Sequence, residues 1–168
     1  MNILFTLNDS FVPQVATCMC SIFENNKSAE NITVYLIGER ISQENKNKLK
    51  GFAKSYDRKV CIISINNIAD YIDFDFDTNG WSSIILARLF LDKLLPQEVD
   101  RILYLDGDTL VLEDLGSLFY SDLGDKVIGM CPEPTVDKSR KEFLALKEYP
   151  YHNSGVLLID LKKWRREE

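Results

Sequence analysis

Asp106-Gly107-Asp108 sets two carboxylates two residues apart, directly after the apolar run Ile102 to Leu105. On an extended chain such residues project to the same side, and the glycine between them permits a bend toward a ligand. Two hard oxygen donors suit a divalent ion that keeps positions open for substrate phosphate oxygens, and strand C-termini are where ligands of α/β sheets bind. A solvated acidic turn is the plain alternative, because such turns commonly follow strands.

Other reactive side chains offer less. His152 is the lone histidine, and Cys18, Cys20, Cys61 and Cys131 form no CxxC pair, so neither a zinc quartet nor a Ser-His-Asp or Cys-His hydrolase has its material. The four cysteines are expected to be reduced thiols in the core. Asp73-x-Asp75-x-Asp77 resembles the start of an EF-hand, but Thr78 stands where the loop needs Gly and Ile84 where it needs the closing Glu. It reads as an acidic loop. Lys162, Lys163, Arg165 and Arg166 read as a solvated helix face.

The elements that must position the carboxylates follow from apolar runs and their punctuation. Ile3 to Leu7 reads as a strand cut off by Asn8-Asp9-Ser10, and Pro13 to Asn25 as a helix with proline early, where it is tolerated. Ile32 to Ile37 reads as a second strand, followed by a polar helix capped by Ser42 and then a third strand, Val60 to Ile65. A helix is expected from Ser82 to about Pro96, strands at Ile102 to Leu105, Val127 to Cys131 and Val156 to Ile159, and a charged helical segment from Asp137 to Lys147. The chain stops in what resembles the opening of another helix. Continuous apolar strands alternating with helices predict an α/β fold with helices covering a mainly parallel sheet.

At 168 residues, 45% hydrophobic and 27% charged, the chain is one globular domain, residues 1–168, with no linker or repeat. A net charge of −6 disfavours broad capture of nucleic acid or anionic lipid. No apolar run approaches the ~20 residues of a membrane span, and the first residues lack a signal peptide's basic flank. A cytoplasmic protein is expected, at most peripheral to the inner face of a membrane.

Two families share the carboxylate motif. Leu103 to Leu110 resembles the opening of haloacid-dehalogenase-type phosphotransferases, in which the first Asp is a nucleophile; that family expects Thr or Val where Leu110 stands, and carries the motif early in its chain. The other resemblance covers essentially the whole chain. Phe5 to Phe11, Ala87-Arg88-Leu89, Ile102 to Asp108 and His152 to Arg165, the last containing Asn-Ser-Gly-Val-Leu-Leu-Ile-Asp-Leu-Lys-Lys-Trp, resemble in order the hallmark segments of glycosyltransferase family 8.

That resemblance implies a GT-A fold, a Rossmann-like αβα sandwich, that uses a UDP-sugar and Mn²⁺, or Mg²⁺, in a transfer retaining anomeric configuration. It makes Asp106 and Asp108 the metal ligands, and Asp106, Asp108 and Asn153 the catalytic set. Thr6, Leu7, Asn8 and Phe11 match the loop beside the uracil, with Phe11 where Tyr is usual. Arg88 matches an Arg on the donor sugar or diphosphate; Gly107 stays with its two neighbours; Asn153, Ser154 and Gly155 match a loop lining the donor-sugar pocket; Glu133 falls where members often carry an Asp facing the sugars. The expected partners are a UDP-glucose or UDP-galactose donor and a saccharide, lipopolysaccharide or glycan acceptor. The family also continues past this point with a metal-binding His and a diphosphate-contacting Lys. The chain is therefore expected to be C-terminally incomplete, with a nucleotide-sugar-binding module of little turnover as the alternative to full transfer. Apolar surface left exposed there makes a homodimer an expected assembly.

Overall fold

A computed structural model describes residues 1–72, 77, 78, 80 and 82–167. Asp73 and Asp75 of the acidic loop lie outside the described residues, while Asp77 is exposed.

The first half alternates as the sequence predicts: β1 (Asn2–Asn8), α1 (Val12–Asn25), β2 (Thr33–Glu39), α2 (Gln43–Ser55) and β3 (Lys59–Ile65). Pro13 sits in the first turn of α1, where its missing N–H costs no helical bond, and Val12, Val15, Met19, Ile22 and Phe23 fall on one buried stripe. Ser42 caps α2, its hydroxyl accepting from the Asn45 amide at 3.2 Å. The second half holds α3 (Leu91–Leu94), β4 (Arg101–Leu105), α4 (Gly116–Phe119), β5 (Ile128–Pro132), α5 (Lys138–Phe143), β6 (His152–Asp160) and α6 (Leu161–Glu167).

The six strands form one sheet in the order β3-β2-β1-β4-β6-β5. β3, β2, β1 and β4 pair in parallel, and β6 runs antiparallel to both β4 and β5. Strand direction is thus common to all but β6, which agrees with a mainly parallel sheet. Ile3, Phe5 and Leu7 of β1 pack with α1 and α2 on one face. Leu4 packs with Tyr104, Ile84, Ala87 and Leu91 on the other, so the period-2 alternation of a strand buried on both sides is complete. β1 sends its chain to β2 on one side and has β4 on the other. A crevice opens at such a switch point beyond the strands' C-terminal ends.

Five expectations need correction. The helix from Ser82 to Pro96 is two pieces, a 3₁₀ turn at Ser83–Leu89 and the short α3. Arg88 Nε donates to the Ile85 carbonyl at 2.9 Å, and the three-residue winding puts both Ile84 and Ala87 into the core. The charged helix runs only over α5, capped by the Asp137 carboxylate, and the chain then reaches positive φ at Ala145. β6 starts at His152, four residues early, because Pro132 and Cys131 pair with His152 and Asn153 across an irregularity after Met130. All four cysteines are free, but only Cys18 is buried; Cys61 and Cys131 are exposed on the outer strands β3 and β5. At the chain's end, Arg165 also departs from a solvated face: its guanidinium donates to the carbonyls of Leu95, Pro96, Gln97 and Val99 at 3.0–3.3 Å, tying α6 to the turn that feeds β4. No described helix is long and apolar enough to cross a membrane.

Candidate functional site

β1 and β4 end side by side, and their first loop residues wall a cavity of about 280 Å³. Thr6, Leu7, Asn8 and Phe11 form one end; Asp106, Gly107 and Asp108 form the floor; Arg88, with Ile84 and Ile85 of the 3₁₀ turn, faces them; Ser154 of β6 closes the far side. Of the residues predicted from sequence, only Glu133, Asn153 and Gly155 do not line it.

The first loop is held from behind. Asp9 Oδ1 accepts from the Ser42 amide and from Asn45 Nδ2, each at 2.8 Å. Those bonds hold its carboxyl below the usual range and fasten the turn after β1 to the start of α2. Asn8 Oδ1 accepts from Ser10 Oγ at 2.8 Å, which leaves the amide nitrogen of Asn8 as a donor. Phe11 lies against Gly107, where an added Cβ would come within 2.6 Å of Val15 Cγ2 and 3.1 Å of Phe11 Cε1. Gly107 does not take positive φ. Its small size, more than a special bend, is what lets the carboxylate loop sit down on α1.

Asp106 is anchored through both its backbone and its side chain. Its amide donates to the Gly155 carbonyl at 2.8 Å, and its carbonyl accepts from Thr109 Oγ1 at 2.8 Å. Its Oδ1 accepts from Tyr104 Oη at 2.7 Å and lies 3.5 Å from the Arg88 guanidinium. Arg88 is spread over several partners: it stacks 4.4 Å from the Tyr104 ring centroid and donates to the Ser154 carbonyl at 2.7 Å. Its side chain is only 15% exposed, so it is a wall of the site and not a surface arginine. Burial pushes the Tyr104 hydroxyl well above its ordinary pKa, Arg88 pulls it back, and the bond to Asp106 pushes it up again; the phenol stays a donor.

Beyond the cavity, Asn153 and Glu133 belong to the β5–β6 pair. Asn153 Oδ1 accepts from the Gly155 amide at 2.7 Å. Hydrogen bonds from Thr135, and then from Asn153, hold the Glu133 carboxyl below its usual range. Gly155 connects this group to the crevice, for a Cβ there would lie 2.7 Å from Asp106 Oδ2 and 3.0 Å from Asn153 Oδ1. The predicted residues thus form two adjoining groups, one around the cavity and one along its β6 rim.

Among the described residues no three His, Cys, Asp or Glu side chains converge, so Asp106 and Asp108 are a two-carboxylate donor set. Asp106 Oδ2 and both Asp108 oxygens accept no hydrogen bond from the described residues. Such oxygens fit a hard divalent ion that takes its other ligands from a phosphate and water. Sequence reasoning passed over Tyr104, which joins Thr6, Arg88 and Asp106. A tyrosine two residues before Asp106 in an otherwise aliphatic strand was the available signal, because a buried hydroxyl must find a polar partner.

An open α/β sheet with an acidic crevice at its switch point has its cavity where folds of this class place their ligands. Comparison with known proteins makes this specific. The family model described as Glycosyl transferase family 8 matches residues 2–168, and the chain belongs to that family. The lipopolysaccharide 1,2-glucosyltransferase of Escherichia coli K12 is 29% identical over 171 residues, which cover 98% of this chain and 48% of that protein. The solved structure of the galactosyltransferase LgtC, in complex with donor and acceptor sugar analogs, superposes with a TM-score of 0.84 at 30% identity, over 100% of this chain and 60% of LgtC. Mouse xyloside xylosyltransferase 1, at 16% identity and a TM-score of 0.74 over 99% of this chain and 69% of its own, shares the fold. The architecture is that of the GT-A glycosyltransferases. The chain spans about half the length of the curated relatives it matches. Family membership sets aside the dehalogenase-type reading of Asp106.

Proposed function

We propose that the crevice binds a UDP-sugar, and that the protein to which this chain belongs transfers the hexose, glucose or galactose, to a saccharide or lipopolysaccharide-type acceptor with retention of configuration. The observation that carries the reading is the placement of unspent carboxylate oxygens of Asp106 and Asp108 on the floor of a cavity whose other end presents the Asn8 amide and the Phe11 ring. A base needs a flat apolar face and an amide edge; a diphosphate needs cation-mediated charge balance; a sugar needs neutral hydrogen-bonding groups. The crevice supplies these in that order from β1 to β6.

Phe11 would stack on the nucleobase and Asn8 would read its edge, while Thr6 and Leu7 close the back of that pocket. Mn²⁺ or Mg²⁺ held by Asp106 and Asp108 would supply the charge neutralisation that lets a diphosphate leave. Arg88 brings a fixed positive charge within reach of the same place. Ser154, Gly155, Asn153 and Glu133 offer hydroxyl, backbone and amide or carboxylate groups along the rim where the sugar would lie. LgtC, 30% identical over the whole of this chain and solved with donor and acceptor sugar analogs, supports a sugar-transfer reading.

Calorimetry with UDP tests the reading. Affinity is expected to be highest with Mn²⁺ and to fall at least tenfold both in EDTA and in the Asp108→Asn variant. Equal affinity in the three conditions would remove the metal-bridged diphosphate from the proposal.

A further inference from the structure

Tyr104 is 1% exposed, with its ring inside the core cluster that also holds Leu4, Ile84 and Ala87. A phenylalanine would fill that space as well. The hydroxyl is the part that packing does not require, and it ends on Asp106 Oδ1 at 2.7 Å with Thr6 Oγ1 3.2 Å away. Its single proton goes to Asp106, so the Thr6 hydroxyl donates to the tyrosine oxygen. Arg88 reaches the same Oδ1 from the other side at 3.5 Å while lying over the tyrosine ring. Asp106 Oδ2 receives no donor from the described residues and rests where only a glycine, Gly155, can stand.

We infer that Tyr104 is a positioning residue: its hydroxyl fixes the plane of the Asp106 carboxylate with one oxygen turned into the protein, so that Asp106 meets a divalent ion through Oδ2 alone. This rests on the UDP-sugar reading of the crevice. A carboxylate half exposed to water, as Asp106 is at 41%, would otherwise sample several rotamers and lose that freedom on binding. Holding it beforehand moves that cost from binding into folding, and partners that orient a metal ligand typically account for about 10- to 100-fold in metal affinity. The chain Thr6–Tyr104–Asp106 also carries orientation from the end of β1 to the carboxylate after β4.

The test titrates Mn²⁺ by loss of its free-ion EPR signal at saturating UDP, alongside UDP binding in EDTA, for wild type, Tyr104→Phe, Asp106→Asn and the double variant. Tyr104→Phe is expected to weaken Mn²⁺ about tenfold and to leave metal-free UDP affinity unchanged. The double variant is expected to bind Mn²⁺ no worse than Asp106→Asn, since the hydroxyl acts through that carboxylate. A general loosening of the fold would instead lower both affinities in Tyr104→Phe and add to the Asp106→Asn loss, and either result overturns the inference. So does a Tyr104→Phe variant with wild-type Mn²⁺ affinity. Wild type that binds no UDP under any condition overturns the UDP-sugar reading itself, and this role with it.

Discussion

Gly155 and Gly107 flank the same aspartate from different sides, and their neighbours predict opposite failures. A Cβ on Gly155 would lie 2.7 Å from Asp106 Oδ2 and would push on the carboxylate oxygen that accepts no other bond. A Cβ on Gly107 would lie 2.6 Å from Val15 Cγ2, inside the packing of α1 on the sheet. Gly155→Ala is therefore expected to reduce Mn²⁺-dependent UDP binding at least tenfold with little loss of folding stability. Gly107→Ala is expected to cost about 1–3 kcal/mol of stability, the usual range for overpacking. Urea unfolding and calorimetry on the two variants check the pair. If Gly155→Ala unfolds early while binding normally, the carboxylate contact has been misjudged. The glycines also mark a limit of sequence reading. Gly107 reads as a hinge from its place between two acids, yet the space it leaves for Val15 and Phe11, 92 and 96 residues away along the chain but adjacent in the fold, is invisible in the sequence alone.

At the scale of elements, legibility follows how local the signal is. Strand β1, helix α1 with its early proline, and α2 with its Ser42 cap are each specified by neighbours a few residues away, and each lies where the apolar pattern predicts. The 3₁₀ turn at Ser83–Leu89 is not, because Arg88 binds the Ile85 carbonyl while its guanidinium answers to Ser154 and Asp106 from distant strands. The early start of β6 is equally nonlocal, being set by pairing with β5. The same distinction holds for the site: the Asp106–Asp108 spacing is legible, whereas the contact of Tyr104 with Thr6 is a cross-strand event. α6 gives a checkable case of local chemistry with a distant effect. Asp160 Oδ1 accepts from the Lys163 amide at 2.9 Å, capping α6, while Arg165 of that helix holds the turn before β4. Burial works against the Asp160 charge, but the Lys163 amide and ammonium outweigh it and the carboxyl titrates below its usual range. A lowered folded pKa means stabilisation that is present above the unfolded value and lost as pH falls through the folded one. Asp160→Ala should cost about 1 kcal/mol at pH 7, the typical worth of an N-cap. That difference should shrink as pH falls below the ordinary Asp value of about 3.9. A gap between the two denaturation curves that persists unchanged at low pH would show that packing, and not the charged cap, is what the substitution removes.

For the molecule as a whole, the proposed ligand would span the sheet's change of direction, from Asn8 and Phe11 on the parallel side to Ser154 on β6. Binding across β1, β4 and β6 joins elements that otherwise share only sheet hydrogen bonds and core packing, so it should register as global stability. A ligand that binds only the folded chain adds RT ln(1 + [L]/Kd), about 2.7 kcal/mol at a hundredfold excess over Kd. For a domain of this size that corresponds to a rise in Tm of roughly 5–11 °C, at about 2–4 °C per kcal/mol. The net charge of −6 complicates the measurement, because a divalent cation also gathers loosely around an acidic surface and stabilises it by relieving repulsion. Ionic strength separates the two effects. Loose attraction is screened within about 10 Å at 0.1 M salt and should fade as salt rises, whereas a cation held between two carboxylates and a diphosphate is screened far less. Melting curves are therefore expected to show a rise with Mn²⁺ plus UDP that survives 0.3 M NaCl, and a rise with Mn²⁺ alone that does not. ADP and GDP at the same concentration should give smaller shifts if the Asn8 amide reads the base edge as proposed. In Asp108→Asn the salt-resistant part should vanish while the salt-sensitive part persists, because one acid fewer leaves the surface almost as negative. Identical, salt-resistant shifts with UDP, ADP and GDP would show that the crevice recognises a diphosphate without reading its nucleoside, and the assignment of the Asn8–Phe11 end would have to be withdrawn.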